Sequence, residues 1–208
     1  MPPAPSSLQS IRPERLARFR TPSNTLPLVR EAEIAKIPQA ATISGMFLMP
    51  MAAEAERLGR PLASARPRYT RFNFYPLREH VQLMFEAAEA FMPQLPTRQA
   101  IRKLGRGAAP ALLQSMLGKV VLASAVSPLD ALEAMAKAYG INLRPGQVNV
   151  VEHGDGFAIL ELREIHYLID SNHVGAMEGL LRPLGLKPEV RVHELAPGHA
   201  ELLVTWPT

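Results

Sequence analysis

Apolar residues recur at helical spacing in the middle of the chain and alternate with polar ones towards its end. The longest helical stripe advances in steps of four and three and consists of Leu77, Val81, Met84, Ala88 and Phe91. This spacing places the stripe on one helix face and predicts an amphipathic helix that begins at Pro76. His80 is expected at or beyond the edge of this stripe, as a surface or half-buried structural residue. Pro93 and Pro96 are expected to end the helix.

Two more helices are predicted before residue 141. One runs from Thr97 to about Gly105, is broken or kinked by Gly107 and Pro110, and resumes over 112–117. The other begins at Ser127-Pro128, because Ser caps a helix, Pro suits its first position and Asp130 follows as a capping-box acid. Gly140 is expected to end it.

The last third of the chain predicts strands. Residues 147–152 and 157–163 flank a turn at 153–156, and a helix over 171–184 follows, ending at Gly185. A second hairpin turns at Pro197-Gly198. The order is β-β-α-β-β, so the predicted fold class is α+β, with leading helices packed on a C-terminal antiparallel sheet. Residues 42–48 suit one further strand.

Composition divides the chain of 208 residues, with 20 Pro and no Cys, into two parts. Residues 1–40 form a Pro-rich basic segment with too few apolar residues to offset its chain entropy, so disorder is expected there. Residues 41–208 are expected to fold as a single domain. Without Cys, disulfides and thiol catalysis are excluded. No apolar run is long enough to span a membrane and no secretory signal is visible, so a cytoplasmic location is expected.

Arginines cluster in two stretches that contain no acidic residue. Arg98, Arg102 and Arg106 stand four apart and predict one ridge on a helix, with Lys103 beside them. Arg66 and Arg68 belong to the other stretch, residues 57–71. These residues could bind an anion or an acidic protein partner, or they could form a solvated face. Nucleic-acid binding is not expected, because no binding module accompanies the basic residues.

The order and spacing of several segments resemble a paralogous family expanded in myxobacteria, domain of unknown function 2378. The segments are Leu58–Leu62, Tyr75-Pro76, Met92–Arg106, Gly118 and Val204–Trp206. The family is similar in layout to haem–nitric-oxide-binding domains and to vinyl-reductase-like small-molecule-binding domains. The resemblance implies a regulator that holds a ligand between its helices and its sheet.

The haem-binding relatives imply an axial His on the helix before the sheet, together with a Tyr-x-Ser-x-Arg element. The predicted helix Pro128–Tyr139 has no His and the element is absent, so no haem or other cofactor is expected. Metal binding would need His153 and Asp155 to meet His193 or His199 across the sheet, and no metal-ligand spacing supports it. No nucleophile elbow or phosphate loop is present, and no catalytic residue is assigned.

The sequence therefore favours a non-enzymatic sensory or regulatory domain that binds a small apolar or amphiphilic ligand. Tyr139, Phe157 and Trp206 are the candidate pocket residues. The alternative is an interaction module that docks an acidic partner through the Arg-rich helix face. An enzyme with a reductase-like or lyase-like pocket is a third hypothesis. A homodimer is possible through the leading helices or through an edge strand at Ile43–Leu48.

Overall fold

The computed structural model describes residues 11–114 and 127–207, and within them the predicted α+β class is confirmed. The helices are α1 (Pro13–Leu16), α2 (Arg30–Ala35), α3 (Met49–Arg57), α4 (Leu77–Phe91), α5 (Thr97–Gln114), α6 (Pro128–Asn142) and α7 (Val174–Leu181). The strands are β1 (Thr42–Ser44), β2 (Phe74–Pro76), β3 (Leu143–Arg144), β4 (Gln147–Gly154), β5 (Phe157–Arg163), β6 (Glu189–Ala196) and β7 (His199–Thr205). The last five main elements follow in the order β4-β5-α7-β6-β7.

The main sheet is antiparallel, with the strand order β4-β5-β7-β6. Its two hairpins turn at glycines that adopt φ = 75° at Gly156 and at Gly198, a conformation that costs little without a side chain. Alternate residues of β5 point to opposite faces, so Leu160 and Leu162 face the main core while Phe157 and Ile159 face away from it. A second, small antiparallel sheet has the order β2-β1-β3.

Local capping fixes the start of α6. The Ser127 side chain accepts a hydrogen bond from the backbone of Asp130, whose carboxylate accepts one from the Ser127 backbone, as the sequence predicts. The predicted stop at Gly140 is two residues early, because α6 continues to Asn142. The expected strand over 42–48 is also shorter, since a 3₁₀ turn at Gly45–Phe47 follows β1.

The predicted break in the second helix is wrong. α5 runs through Gly107 and Pro110 to Gln114. The rest of the predicted helix, residues 115–117, and Gly118 of the family resemblance lie outside the described residues. Tertiary packing outweighs the local propensity here. A Cβ on Gly175 of α7 would lie 2.0 Å from the carbonyl oxygen of Arg102, and one on Gly179 would lie 2.2 Å from that of Arg106. The backbones of α5 and α7 are therefore in direct contact.

The N-terminal segment differs from the expectation of disorder over its described part. Ile11 and Phe19 are buried against Phe157 and Ile159 on the outer face of the main sheet. Arg15 forms ion pairs with carboxylates of β4 and β7, and the backbone of Arg20 exchanges two 2.9 Å hydrogen bonds with that of Val192. Two large anchors and these polar contacts offset the ordering cost that the segment's low apolar content could not.

Candidate functional site

A cavity of about 420 Å³ lies among α3, α4, α5, α6 and the small sheet. Its volume falls within the range of sites that take small molecules. Ala176 of α7 and Tyr167, which follows β5, also contribute to its walls, and α4 and α6 turn one helical face each towards it. The residues that line it include Ile43, Phe47, Met51, His80, Met84, Phe91, Lys103, Met135, Ala138, Tyr139, Leu143 and Tyr167.

Burial separates the inner wall of this cavity from its entrance. We call the buried residues Ile43, His80, Met84, Leu143 and Tyr167 the floor, because each is at most 6 % exposed. The lining residues at the entrance, Pro50, Glu54, Lys103 and Gly107, are exposed or half-exposed, and we call them the mouth. The site therefore has an apolar interior with its charged groups at one end.

Two histidines and two tyrosines form a connected group beside the floor, here called the His–Tyr cluster (His80, Tyr139, Tyr167 and His173). The Tyr139 hydroxyl is hydrogen-bonded to Nδ1 of His173 at 2.7 Å. The Tyr167 ring contacts the rings of His173 and His80 edge-on, with centroids 4.7 and 6.2 Å apart. His80, Tyr139 and Tyr167 line the cavity, and His173 stands behind them.

Burial keeps the whole His–Tyr cluster neutral. It lowers the pKa of His80 to about 4 and is the main reason that the pKa of His173 falls to about 3, since the charged imidazolium is disfavoured away from water. Burial also raises the pKa of Tyr139 and Tyr167 well above the ordinary value. Nδ1 of His80 and Nε2 of His173 are buried and have no hydrogen-bond partner in the part of the chain that the structure describes. The cluster thus offers polar but uncharged groups at the inner end of the cavity.

The three pocket residues proposed from the sequence occupy different places. Tyr139 lines the cavity. Phe157 does not, because it faces the opposite side of the sheet and packs under Ile11 and Phe19. Trp206 packs against the main core, and its backbone nitrogen donates to Gly156, but it is outside the cavity lining. The prediction that His80 is a surface or half-buried residue is wrong. His80 is 6 % exposed and belongs to the cavity wall.

The arginine ridge of α5 faces α7 and the N-terminal segment. Arg98, 8 % exposed, pairs with Asp170 and donates to the backbone oxygen of Leu26 at 3.0 Å. Arg102 and Arg106 both bind the buried carboxylate of Glu178, each with one contact of 2.5 Å. These side chains are engaged inside the molecule, so the ridge is not the free basic face that docking of an acidic partner requires.

The other basic candidates, Arg66, Arg68 and Lys103, differ in their surroundings. Arg66 binds Glu79 through two nitrogens, at 2.7 and 2.8 Å, and its guanidinium lies over the Tyr75 ring. Arg68 is exposed. Lys103 is exposed at the mouth of the cavity and, within residues 11–114 and 127–207, has no carboxylate partner. Of the basic residues proposed from the sequence, Lys103 is therefore the one that reaches the cavity.

His193 and His199 lie on strands of the main sheet. His199 is hydrogen-bonded to Glu161 at 2.9 Å and His193 to Glu201 at 3.3 Å. In the part of the chain that the structure describes, no group of three His, Cys, Asp or Glu residues converges as a metal site would require. None of the described helices is long and apolar enough to cross a membrane.

Comparison with known proteins places this geometry in context. The model of a family described as "Protein of unknown function (DUF2378)" matches residues 37–207. A search of curated proteins gave no match.

Several solved structures have a similar fold. An unliganded Fe(II) H-NOX protein from K. algicida is 11% identical with a TM-score of 0.61, over 80% of this chain and 97% of that one. A variant of the S. oneidensis H-NOX protein is 10% identical with a TM-score of 0.64, over 80% and 97%. An oxygen-binding H-NOX domain related to soluble guanylate cyclases is 12% identical with a TM-score of 0.57, over 79% and 93%. At such identities the likeness shows the fold alone.

The described cavity residues do not supply the histidine that a haem would need on the helix before the main sheet. α6, the helix before the main sheet, contributes Met135, Ala138, Tyr139 and Asn142 to the cavity and contains no imidazole. Tyr139 is neutral, because burial raises its pKa, and its hydroxyl is hydrogen-bonded to His173. Lys103 is the cation among the described lining residues, whereas the arginines of α5 are already paired with carboxylates.

Proposed function

The chain belongs to the DUF2378 family of proteins of unknown function, and we propose that it is a sensory or regulatory domain that binds a small apolar or amphiphilic molecule in its cavity. The observation that carries the proposal is the cavity of about 420 Å³, with its apolar floor and charged mouth. Apolar walls with a few placed polar groups are typical of small-molecule sites. The H-NOX-like fold supports the proposal as an analogy of architecture.

The proposal is one of binding without turnover. General acid–base catalysis works best when the pKa of the catalytic group lies near the working pH. The pKa of His80 is lowered to about 4 and that of Tyr139 is raised, so neither is poised to exchange protons near neutrality. These groups instead suit hydrogen bonding to a neutral part of a ligand. The docking alternative is not retained, because Arg98, Arg102 and Arg106 are engaged within the molecule.

A fluorescence titration with Nile red, a neutral apolar dye, tests the proposal. Gly107→Phe is the blocking variant, because Gly107 lines the mouth and an added Cβ would have no neighbour within 4 Å among the described residues. Gly140→Phe is the matched control, since Gly140 is also helical and open but lies outside the cavity lining. We expect one dye site in the wild type, at least about tenfold weaker binding in Gly107→Phe, and unchanged binding in Gly140→Phe.

The proposal fails if the folded wild type gives no saturable dye binding. It also fails if Gly107→Phe and Gly140→Phe bind the dye as the wild type does, because the dye would then occupy another surface. Circular dichroism of the three proteins ensures that only folded chains are compared.

A further inference from the structure

One cation at the mouth of the cavity, Lys103, is not neutralised by a carboxylate of residues 11–114 or 127–207. α5 carries four basic side chains between residues 98 and 106. Asp170 neutralises Arg98, and Glu178 is shared by Arg102 and Arg106. Lys103 points to the cavity instead and, among the described residues, meets no carboxylate. Its ammonium group is therefore free to receive an anion from a ligand.

The acidic residue at the mouth does not supply that anion. Glu54 accepts two hydrogen bonds from Arg57, at 2.6 and 2.7 Å, in a forked pair within α3. Hydrogen bonds from Arg57 are the largest influence that lowers the pKa of Glu54. With Glu54 paired in this way, the charge that the described residues leave at the mouth is the positive charge of Lys103.

The floor determines which way round a charged ligand would lie. An ionised group placed beside Ile43, Met84 and Leu143 would lose its hydration without a counter-charge, which is strongly unfavourable. The His–Tyr cluster is neutral and does not provide one. An anion is therefore favoured only at the mouth, where Lys103 and solvent are both within reach, while an apolar chain is favoured on the floor.

We infer that the ligand is an amphiphile with one anionic head group, of the carboxylate class, whose head binds Lys103 at the mouth and whose apolar chain fills the floor. This inference rests on the proposed function, since it names the chemical class of ligand for the same cavity. The juxtaposition that carries it is a lysine without a carboxylate partner in the described part of the chain, beside an apolar interior.

Decanoate and decanol separate the head group from the chain, because they share the same alkyl chain and differ in charge at neutral pH. Both are titrated by isothermal calorimetry below their critical aggregation concentrations, with wild type, Lys103→Met, Lys103→Glu and Lys137→Met. Lys137 is the matched control, since it is an exposed lysine of α6 outside the cavity lining.

The wild type should bind decanoate roughly three- to fivefold more tightly than decanol, the size expected for a half-exposed ion pair. Lys103→Met should abolish that preference, Lys103→Glu should reverse it, and Lys137→Met should leave it intact. Raising the salt concentration should weaken decanoate binding and leave decanol binding nearly unchanged.

The outcomes distinguish the inference from the proposed function. If both compounds bind but Lys103→Met weakens them equally, the inferred head-group contact is overturned while binding in the cavity stands. If neither compound binds although Nile red does, the inferred ligand class is overturned. If decanoate, decanol and Nile red all fail to bind the folded wild type, the proposed function is overturned as well.

Discussion

Adding one methyl group to α7 at Gly175 should destabilise the protein, although the same change usually stabilises a helix. Alanine is favoured over glycine in a helix interior by about 1 kcal/mol. In this fold, however, the new Cβ would lie 2.0 Å from the carbonyl oxygen of Arg102 and 2.9 Å from its carbonyl carbon. Both neighbours are backbone atoms of α5, so no flexible side chain can give way, and α5 and α7 must separate.

The size of the effect follows from these opposing contributions. Forcing an extra carbon into a close-packed contact costs typically 1–3 kcal/mol, and a contact with rigid backbone belongs at the upper end of that range. After the gain in helix propensity, we expect Gly175→Ala to lower the free energy of unfolding by about 2 kcal/mol. For a chain of this length that corresponds to a fall in Tm of about 4–8 °C.

Urea denaturation followed by circular dichroism measures this difference, with Gly140→Ala as the control. Gly140 is helical and an added Cβ would have no neighbour within 4 Å, so this variant should be unchanged or more stable by about 0.5 kcal/mol. The backbone contact of α5 and α7 would be refuted if Gly175→Ala were as stable as Gly140→Ala. Because Ala176 lines the cavity, Gly175→Ala should also weaken Nile red binding.

Three further predictions concern buried charge, pH and the N-terminal segment. Glu178→Ala leaves the guanidinium of Arg102, 11% exposed, without its carboxylate and should cost about 3 kcal/mol in urea denaturation, whereas an unchanged midpoint would show that the pair is dispensable. The pKa of His80 is lowered to about 4, so the unfolded chain takes up that proton first. His80 should therefore lower the stability from about pH 6.5 towards pH 4 by up to about 1.4 kcal/mol per pH unit, and His173, whose pKa is lowered to about 3, should contribute in the same direction. His80→Gln should make the profile less steep and leave the contribution of His173. Phe19→Ala should cost about 3 kcal/mol and Phe72→Ala, at an 81% exposed residue, almost nothing; equal effects would contradict the packing of the N-terminal segment on the sheet.

Features set by neighbouring residues could be predicted from the sequence. The capping box at Ser127 and Asp130 involves residues three apart, and the structure contains it as predicted. The turns at Gly156 and Gly198 likewise depend on local backbone conformation, and they pair β4 with β5 and β6 with β7. Periodicity also placed α4 correctly within one residue at its start.

The N-terminal segment and the arginine ridge could not be predicted in the same way, because their partners are distant in sequence. Phe19 is buried by Phe157, more than a hundred residues away. The four-residue spacing from Arg98 to Arg106 shows that the side chains share a helix face, but not that α7 brings Glu178 against it. The composition of residues 1–40, averaged over the segment, likewise does not show that Ile11 and Phe19 are buried against the sheet.

Two errors at the candidate site had a signal in the sequence. His80 lies three residues after Leu77 and four before Met84, a spacing that places it on the apolar face of α4 rather than beyond its edge. Phe157 lies an odd number of residues before Leu160 and Leu162. Because side chains alternate along a strand, Phe157 lies on the opposite face of the sheet. Tyr167 and His173 carried no such signal, because they follow β5 in an irregular segment and a π-helical turn.

Native mass spectrometry of the full chain tests the central claim of a small-molecule cavity most directly. The gently purified protein, and the same protein after incubation with a lipid extract of its expression host, are compared with the Gly107→Phe and Gly140→Phe variants. We expect a single adduct of a few hundred daltons that is released on denaturation, carried by the wild type and Gly140→Phe and lost from Gly107→Phe. The bare mass of the chain in every folded sample, before and after incubation, would contradict it.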